Sequence, residues 1–319
     1  MTAGLGLSIA SHSGLPPARI GEIGGLAEQA GFTSVFVAEG HGDALSLCHP
    51  IIAATRHVQV GTAIVNAALR PPVLAAKTAA VLDDASDGRF VLGLGTGNTI
   101  MNARFGLAPF APLAMTEEYV GVVRAVLAGK EHEGEVFRTA PIPLDRPPRA
   151  GMPVYLAALG PRMLDLAGRI ADGVILNLMS PRQAGEAAVK VRAAAVEAGR
   201  DPASVQVLAV IHTCLSGDAE VAAEAARSVV PRYALHPAAD RLFGVPLDEV
   251  RRHVLAGDRA TAARHVPQEA ADRFVAHGDA AACRARVADY RAAGIDLPVI
   301  FPMPVAGVWD YPQLINDLA

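Results

Sequence analysis

Glu39 and His41 stand just past the apolar run Val35-Phe36-Val37. A carboxyl group and an imidazole at the carboxyl end of a buried strand can exchange a proton with a substrate when partial burial tunes them. On a surface, the same two residues are a salt-bridge partner and a rim histidine. A second group is Gly93-Leu-Gly95-Thr96-Gly97-Asn98, where an apolar strand runs into glycines that let a ligand approach the backbone. These glycines lack the third position of a dinucleotide fingerprint, and the next helical sequence begins only near Pro112. A third group is Ala158-Leu159-Gly160-Pro161. There an apolar strand ends, Pro161 suits a first helical position, and Gly160 leaves the backbone N–H groups of the turn open to an anion such as a phosphate. A plain strand-to-helix turn reads the same way. His12 follows an apolar strand and His212 lies near the end of another, but none of these histidines and no cysteine has metal-ligand spacing, and no nucleophile elbow or P-loop is present.

The elements that must position these groups alternate regularly. Apolar runs predict strands at Leu5–Ile9, Val35–Val37, Val58–Val65, Phe90–Leu94, Val154–Ala158, Val174–Asn177, Val205–Thr213 and Leu297–Phe301. Helical spacing follows each one. Pro16-Pro17, Pro71-Pro72, Pro112 and Pro181 open helices, and Pro50 must kink or divide the helix over Ala44–Thr55. Eight strand–helix units predict an α/β fold, a (β/α)8 TIM barrel, over a doubly wound open sheet. Residues 1–319 read as a single domain with rim insertions after strands 4 and 7. The first, about 130–150, has one strand-like piece at Glu135-Val136-Phe137. The second, about 218–272, is mostly helical and broken at Pro231, Pro237, Gly244, Pro246 and Gly257.

Composition narrows the function classes. The chain is 51% hydrophobic and 19% charged with a formal net charge of −4, which argues against nucleic acid or an anionic membrane as the main partner. Its three cysteines, Cys48, Cys214 and Cys283, are odd in number and far apart, as in a reduced cytoplasmic setting. No apolar run reaches membrane-spanning length, and the N-terminal segment reads as a strand.

Several stretches together resemble the bacterial luciferase-like superfamily, and within it the branch of coenzyme F420-dependent methylenetetrahydromethanopterin reductases. They are residues 27–37 (AEQAGFTSVFV), 60–66 (VGTAIVN), 82–97 (LDDASDGRFVLGLGTG) and, most specifically, 153–174 (PVYLAALGPRMLDLAGRIADGV). The resemblance implies the barrel and a bulge in strand 3 with a non-prolyl cis peptide at Ala63–Ile64, backing the central ring of a deazaflavin. It implies that the loop Ala158-Leu159-Gly160-Pro161 receives the cofactor phosphate and that Gly95, Thr96, Gly97 and Asn98 border cofactor and substrate. Asn66 and Asn177, at the ends of strands 3 and 6, join that cofactor-binding set.

Three departures from the branch bear on the reaction. The glutamate that donates a proton near the end of strand 1 is here Ser8. The usual Asp-His after strand 2 is Glu39-Gly40, with a histidine only at His41. The acid after the glycines of strand 4 is Asn98. The expectation is therefore an F420-dependent oxidoreductase acting on a small organic substrate other than a methylenepterin. Glu39 or His41 would manage the proton, and Asn98 would orient substrate or cofactor. An FMN-dependent monooxygenase fed by a separate flavin reductase is the alternative; an NAD(P)H-using relative and a non-catalytic binding protein lie further off. Family habit implies a homodimer, and the residue spacings imply no metal.

Overall fold

The computed structural model describes residues 4–97, 99–146 and 151–319. Strands form where the chain is apolar on both faces, as parallel strands covered by helices must be. Every residue of β1 (Gly6–Ala10) is buried. Beside it, in parallel register, lies β2 (Ser34–Ala38), with Gly6 opposite Ser34 and Ala10 opposite Ala38. The series continues through β3 (Gln59–Thr62) and β5 (Phe90–Gly95), with the two-residue β4 (Val65–Asn66) also pairing β5. After a small antiparallel hairpin, β6 (His132–Glu133) with β7 (Arg138–Thr139), the order resumes with β8 (Val154–Ala157) and β9 (Gly173–Leu176). Between them run α1 (Pro17–Gln29), α2 (Ala44–Ala54), α3 (Pro72–Ala85), α4 (Thr99–Arg104), α5 (Pro112–Leu127) and α6 (Pro161–Ile170). Residues 6–175 and 187–207 make up this first compact unit.

The second unit contains most of the rest of the chain. Its strands are β10 (Gln206–Leu215), β11 (Ala276–Gly278) and β12 (Leu297–Pro302), and β10 pairs in parallel with both others. Residues 218–272 carry α8 (Ala219–Val229), a 3-10 turn at 230–232, α9 (Ala239–Phe243), α10 (Asp248–Leu255), α11 (Arg259–Arg264) and α12 (Gln268–Asp272). Asp218 caps α8 by accepting from the N–H groups of Glu220 and Val221, and Gly244 ends α9 at a φ of 74°, where a side chain would be strained. The remaining helices are α7 (Pro181–Glu197), α13 (Ala280–Ala292) and α14 (Tyr311–Leu318). The architecture is an 8-stranded (β/α)8 TIM barrel, as the alternation predicted. Among the described residues no helix is long and apolar enough to cross a membrane.

Several local expectations need correction. The strand-like Glu135-Val136-Phe137 is the turn between β6 and β7, because the Glu118 carboxylate takes up its three N–H groups at 3.0, 2.8 and 2.9 Å. The glycines of β5 are followed almost at once by α4, not by a long loop. The third strand is not continuous from Val58 to Val65 but broken between Thr62 and Val65. Pro50 does not divide α2, which runs through it. The short β11 lies past the helical insertion at 218–272, in a stretch where the sequence predicts no element.

At the break in the third strand the chains approach closely. The Thr62 hydroxyl donates to the Gly93 carbonyl at 2.7 Å and accepts from the Gly93 N–H at 3.0 Å, a buried two-way clasp. A Cβ at Gly93 would overlap the Thr62 carbonyl. Gly93→Ala is therefore expected to cost about 2 kcal/mol or more of stability, since backbone cannot move aside as a side chain can. Urea unfolding checks it, and a midpoint equal to that of the unaltered chain would refute it.

Candidate active site

Beyond Thr62 the chain leaves β3, passes a cis peptide bond at Ala63–Ile64, and rejoins the sheet at β4. The bulge sits where the resemblance placed it, and its neighbours hold it on both sides. The Ala63 N–H donates to the Val37 carbonyl at 2.9 Å, and the Ile64 carbonyl accepts from the Glu39 N–H at 3.1 Å. The Glu39 side chain then turns back: one carboxylate oxygen accepts from the Asn66 N–H at 2.5 Å, and the other lies 3.4 Å from the Arg70 guanidinium. Arg70 also reaches Asp43 at 3.0 Å. Only 11% of the Glu39 side chain is exposed. Burial raises its pKa above the usual glutamate value, and the opposing pull of the Asn66 and Ala44 N–H groups and of Arg70 does not fully offset this.

The other end of the bulge meets the glycines after β5. Asn66 accepts from the Ala68 N–H at 3.1 Å and donates to Asn102 at 2.7 Å, and Asn102 in turn donates to the Thr96 carbonyl at 2.9 Å. A Cβ at Gly95 would lie 2.8 Å from the Ile64 side chain and 3.3 Å from that of Ala157. Gly97 has a φ of 68°, and a Cβ there would collide with the Asn66 amide. Glu39, Ala63, Ile64, Asn66, Gly95, Thr96 and Gly97, picked separately from the sequence, are thus one contiguous group. Asn98 lies outside the described residues. His41 does not meet the expectation of partial burial: it is exposed, with its ring centroid 6.0 Å from that of His12. Ser8 is fully buried, and its hydroxyl has no hydrogen-bond partner among the described residues.

In the same unit, α6 starts at Pro161 behind Gly160, whose extended backbone (φ −94°, ψ 156°) makes no side-chain cap. The first N–H groups of a helix have no acceptor within it and carry the positive end of its dipole. A Cβ at Gly160 would meet nothing within 4 Å, so the space over this helix end is open. Ala158 is buried and its N–H is held by the Ile175 carbonyl at 3.2 Å, while Leu159 is half-buried and Pro161 exposed. An uncapped helix end facing open space fits the phosphate of a cofactor.

Asn177 belongs to the other compact unit. Its side-chain oxygen accepts from the Leu178 N–H at 2.9 Å and lies 3.0 Å from Nε2 of His212. His212 is fully buried against the rings of Tyr233, Phe274 and Phe301, with Nδ1 3.4 Å from the Met303 sulfur. Burial, with the charge of Arg232 nearby, pushes its pKa down to about 3, so the imidazole is neutral. Sequence reading flagged both residues but not their contact. It also missed Arg70 and Asn102, which lie between the strands and helices predicted from the sequence and whose roles depend on contacts with distant residues. Spacing likewise failed to bring Glu249, His253 and His265 together, whose potential ligand atoms all lie within 4.8 Å of one another.

Comparison with known proteins places this architecture. Residues 4–297 match the luciferase-like monooxygenase family. The chain belongs to that family. It is 29% identical over 297 residues to a 5,10-methylenetetrahydromethanopterin reductase of Methanolobus tindarius, covering 88% of this chain and 89% of that one. It is 30% identical over 341 residues, 98% of each chain, to a Mycobacterium tuberculosis protein provisionally named a coenzyme F420-dependent oxidoreductase. Its fold superposes with a TM-score of 0.88 on the coenzyme F420-dependent tetrahydromethanopterin reductase of Methanopyrus kandleri, at 23% identity and over 100% of this chain and 97% of that one.

For this luciferase-like chain, the raised pKa of Glu39 has a definite sign in stability. A carboxyl whose folded pKa exceeds its unfolded value favours folding while protonated, below roughly pH 4, and that contribution is lost as pH rises through the folded pKa. Thermal melting of the native chain and of Glu39→Gln should therefore differ most favourably for the native chain at low pH, with the difference shrinking or reversing toward neutrality. A difference independent of pH would contradict this.

Proposed function

We propose that this protein is an oxidoreductase that uses coenzyme F420 to move a hydride to or from a small organic substrate. The observation that carries the reading is the pairing, within one compact unit, of a wall made of Ile64 and the glycines Gly95 and Gly97 with the open, uncapped helix end at Gly160. A flat ring needs a wall free of projecting side chains, and a phosphate needs N–H donors without competitors. When bound, F420 supplies the hydride from its deazaflavin ring.

Each residue has a task in this reading. The Arg162 N–H and the positive end of the α6 dipole hold the cofactor phosphate; Pro161 has no N–H, and those of Met163 and Leu164 already donate to the Gly160 carbonyl, each at 3.0 Å. Ile64 and the backbone at Gly95–Gly97 support the ring. Asn66 and Asn102 hold Thr96 in place by hydrogen bonds, so that the segment leading to Asn98 starts from a fixed point. Glu39 braces the bulge and, with its pKa raised by burial, holds a proton to higher pH than a free glutamate does. Ser8 stands where the related reductases are expected to carry a proton-donating glutamate. An aliphatic hydroxyl is far too weak an acid for that duty, which directs the reading to a substrate other than a methylenepterin.

Family membership supports a second reading, an FMN-dependent monooxygenase, because FMN also carries a flat ring and a phosphate. Calorimetric titration with F420 and FMN in parallel separates the two. Tighter binding of F420 is expected, and retention of FMN with oxygen-dependent turnover would favour the second. Gly160→Asp should leave the fold intact, because its side chain enters open space and can cap α6. It should weaken F420 by about tenfold or more, worth ~1.4 kcal/mol, by occupying the anion site with a negative charge. Unchanged affinity in that variant would remove the phosphate loop from the account.

A further inference from the structure

The helical insertion holds a cleft of about 550 Å³ between α8, the turn at 230–232 and α11, a size suited to a small molecule. Arg227, Arg232, Arg259 and Arg264 line it, and Glu224 is the acidic residue on its wall. Among the described residues, none of the four guanidinium groups forms an ion pair. Arg227 donates to the neutral Gln268 amide at 2.5 Å and Arg264 to the Thr261 hydroxyl at 2.6 Å. Elsewhere in the same insertion arginines are paired with acids, Arg251 with Asp240 and Asp248 and Arg252 with Glu249. Of the other arginines of the insertion, the exposed Arg241 alone also lacks an ion pair among the described residues, so unpaired positive charge is concentrated at the cleft.

Helix dipoles account for only half of it. Arg227 and Arg264 stand in the last turns of α8 and α11, where a cation is favoured. Arg259 stands at the start of α11, the end where a cation is disfavoured. Arg232 is half-buried; burial, together with the charge of Arg259, lowers its pKa. Four guanidinium groups face one cleft with the single carboxylate of Glu224, and the surplus positive charge gains most from an anion shared among them. Guanidinium geometry suits the paired oxygens of phosphate and carboxylate.

We propose that this cleft is a binding site for a small anion of charge −2 or more, bearing phosphate or carboxylate oxygens. The site is distinct from the helix end at Gly160 and does not depend on the cofactor reading. Pyrophosphate and citrate, titrated separately into the full-length protein by calorimetry, serve as probes of the two chemistries. At least one is expected to bind with one-to-one stoichiometry, pyrophosphate marking a phosphoryl ligand and citrate a polycarboxylate. Arg259→Gln/Arg264→Gln alters exposed side chains; a melting temperature like that of the native chain establishes that it is folded, and binding should fall about tenfold or more. Gly160→Asp should leave this binding unchanged. The proposal is overturned if neither probe binds at millimolar concentration, if binding survives the double arginine variant, or if Gly160→Asp abolishes it. Loss in Gly160→Asp alone would assign the anion to the cofactor loop, and failure of F420 to bind would leave the arginine cleft untouched.

Discussion

One carboxylate holds the centre of the candidate site together. Glu39 extends β2 by a backbone hydrogen bond to Ile64 and closes the bulge from its far side by accepting the Asn66 N–H. Asn66 then passes the constraint to Asn102 and Thr96, and so to the glycine segment after β5. A side chain that looked in sequence like an acid–base group is thus first a brace. The two roles share one physical cause, since the burial that makes the brace rigid also raises the carboxyl pKa.

The molecule handles negative and positive charge in contrasting ways. Glu28, Glu39 and Glu118 each spend their charge on backbone N–H groups and so order loops. Two places with donors beside open space are the start of α6 and the arginine cleft of the insertion. The first is built from backbone and the helix dipole; the second is built from side chains crowded against one another. Donors beside open space are met by water until an anion displaces it, and this is why both places read as binding surfaces.

Much of the framework could be read from the chain because it depends on local pattern. Continuous apolar runs placed the barrel strands, and prolines at first helical positions placed α1, α3, α5, α6 and α7 to within a residue. Where reading failed, a distant partner decided the outcome. Glu118 converted an apparent strand at Glu135–Phe137 into a turn, and a three-residue strand such as β11 is too short to carry a period. Within the site, the residue types were legible and the contacts were not. Glu39, Asn66 and Gly97 are far apart in sequence, and Arg70 and Asn102 have nothing in their surroundings that distinguishes them from ordinary surface polar residues. The arginines of the cleft were invisible for the same reason, since arginine is common throughout this chain.

The central claim is that the bulge, the glycines and the open end of α6 form one cofactor platform. A crystal structure of the protein grown with saturating F420 tests it most directly. The account predicts the deazaflavin ring against Ile64 and Gly95–Gly97, with its phosphate at the start of α6 following Gly160. An ordered cofactor bound elsewhere, or a ring in that place with its phosphate directed away from Gly160, would contradict it.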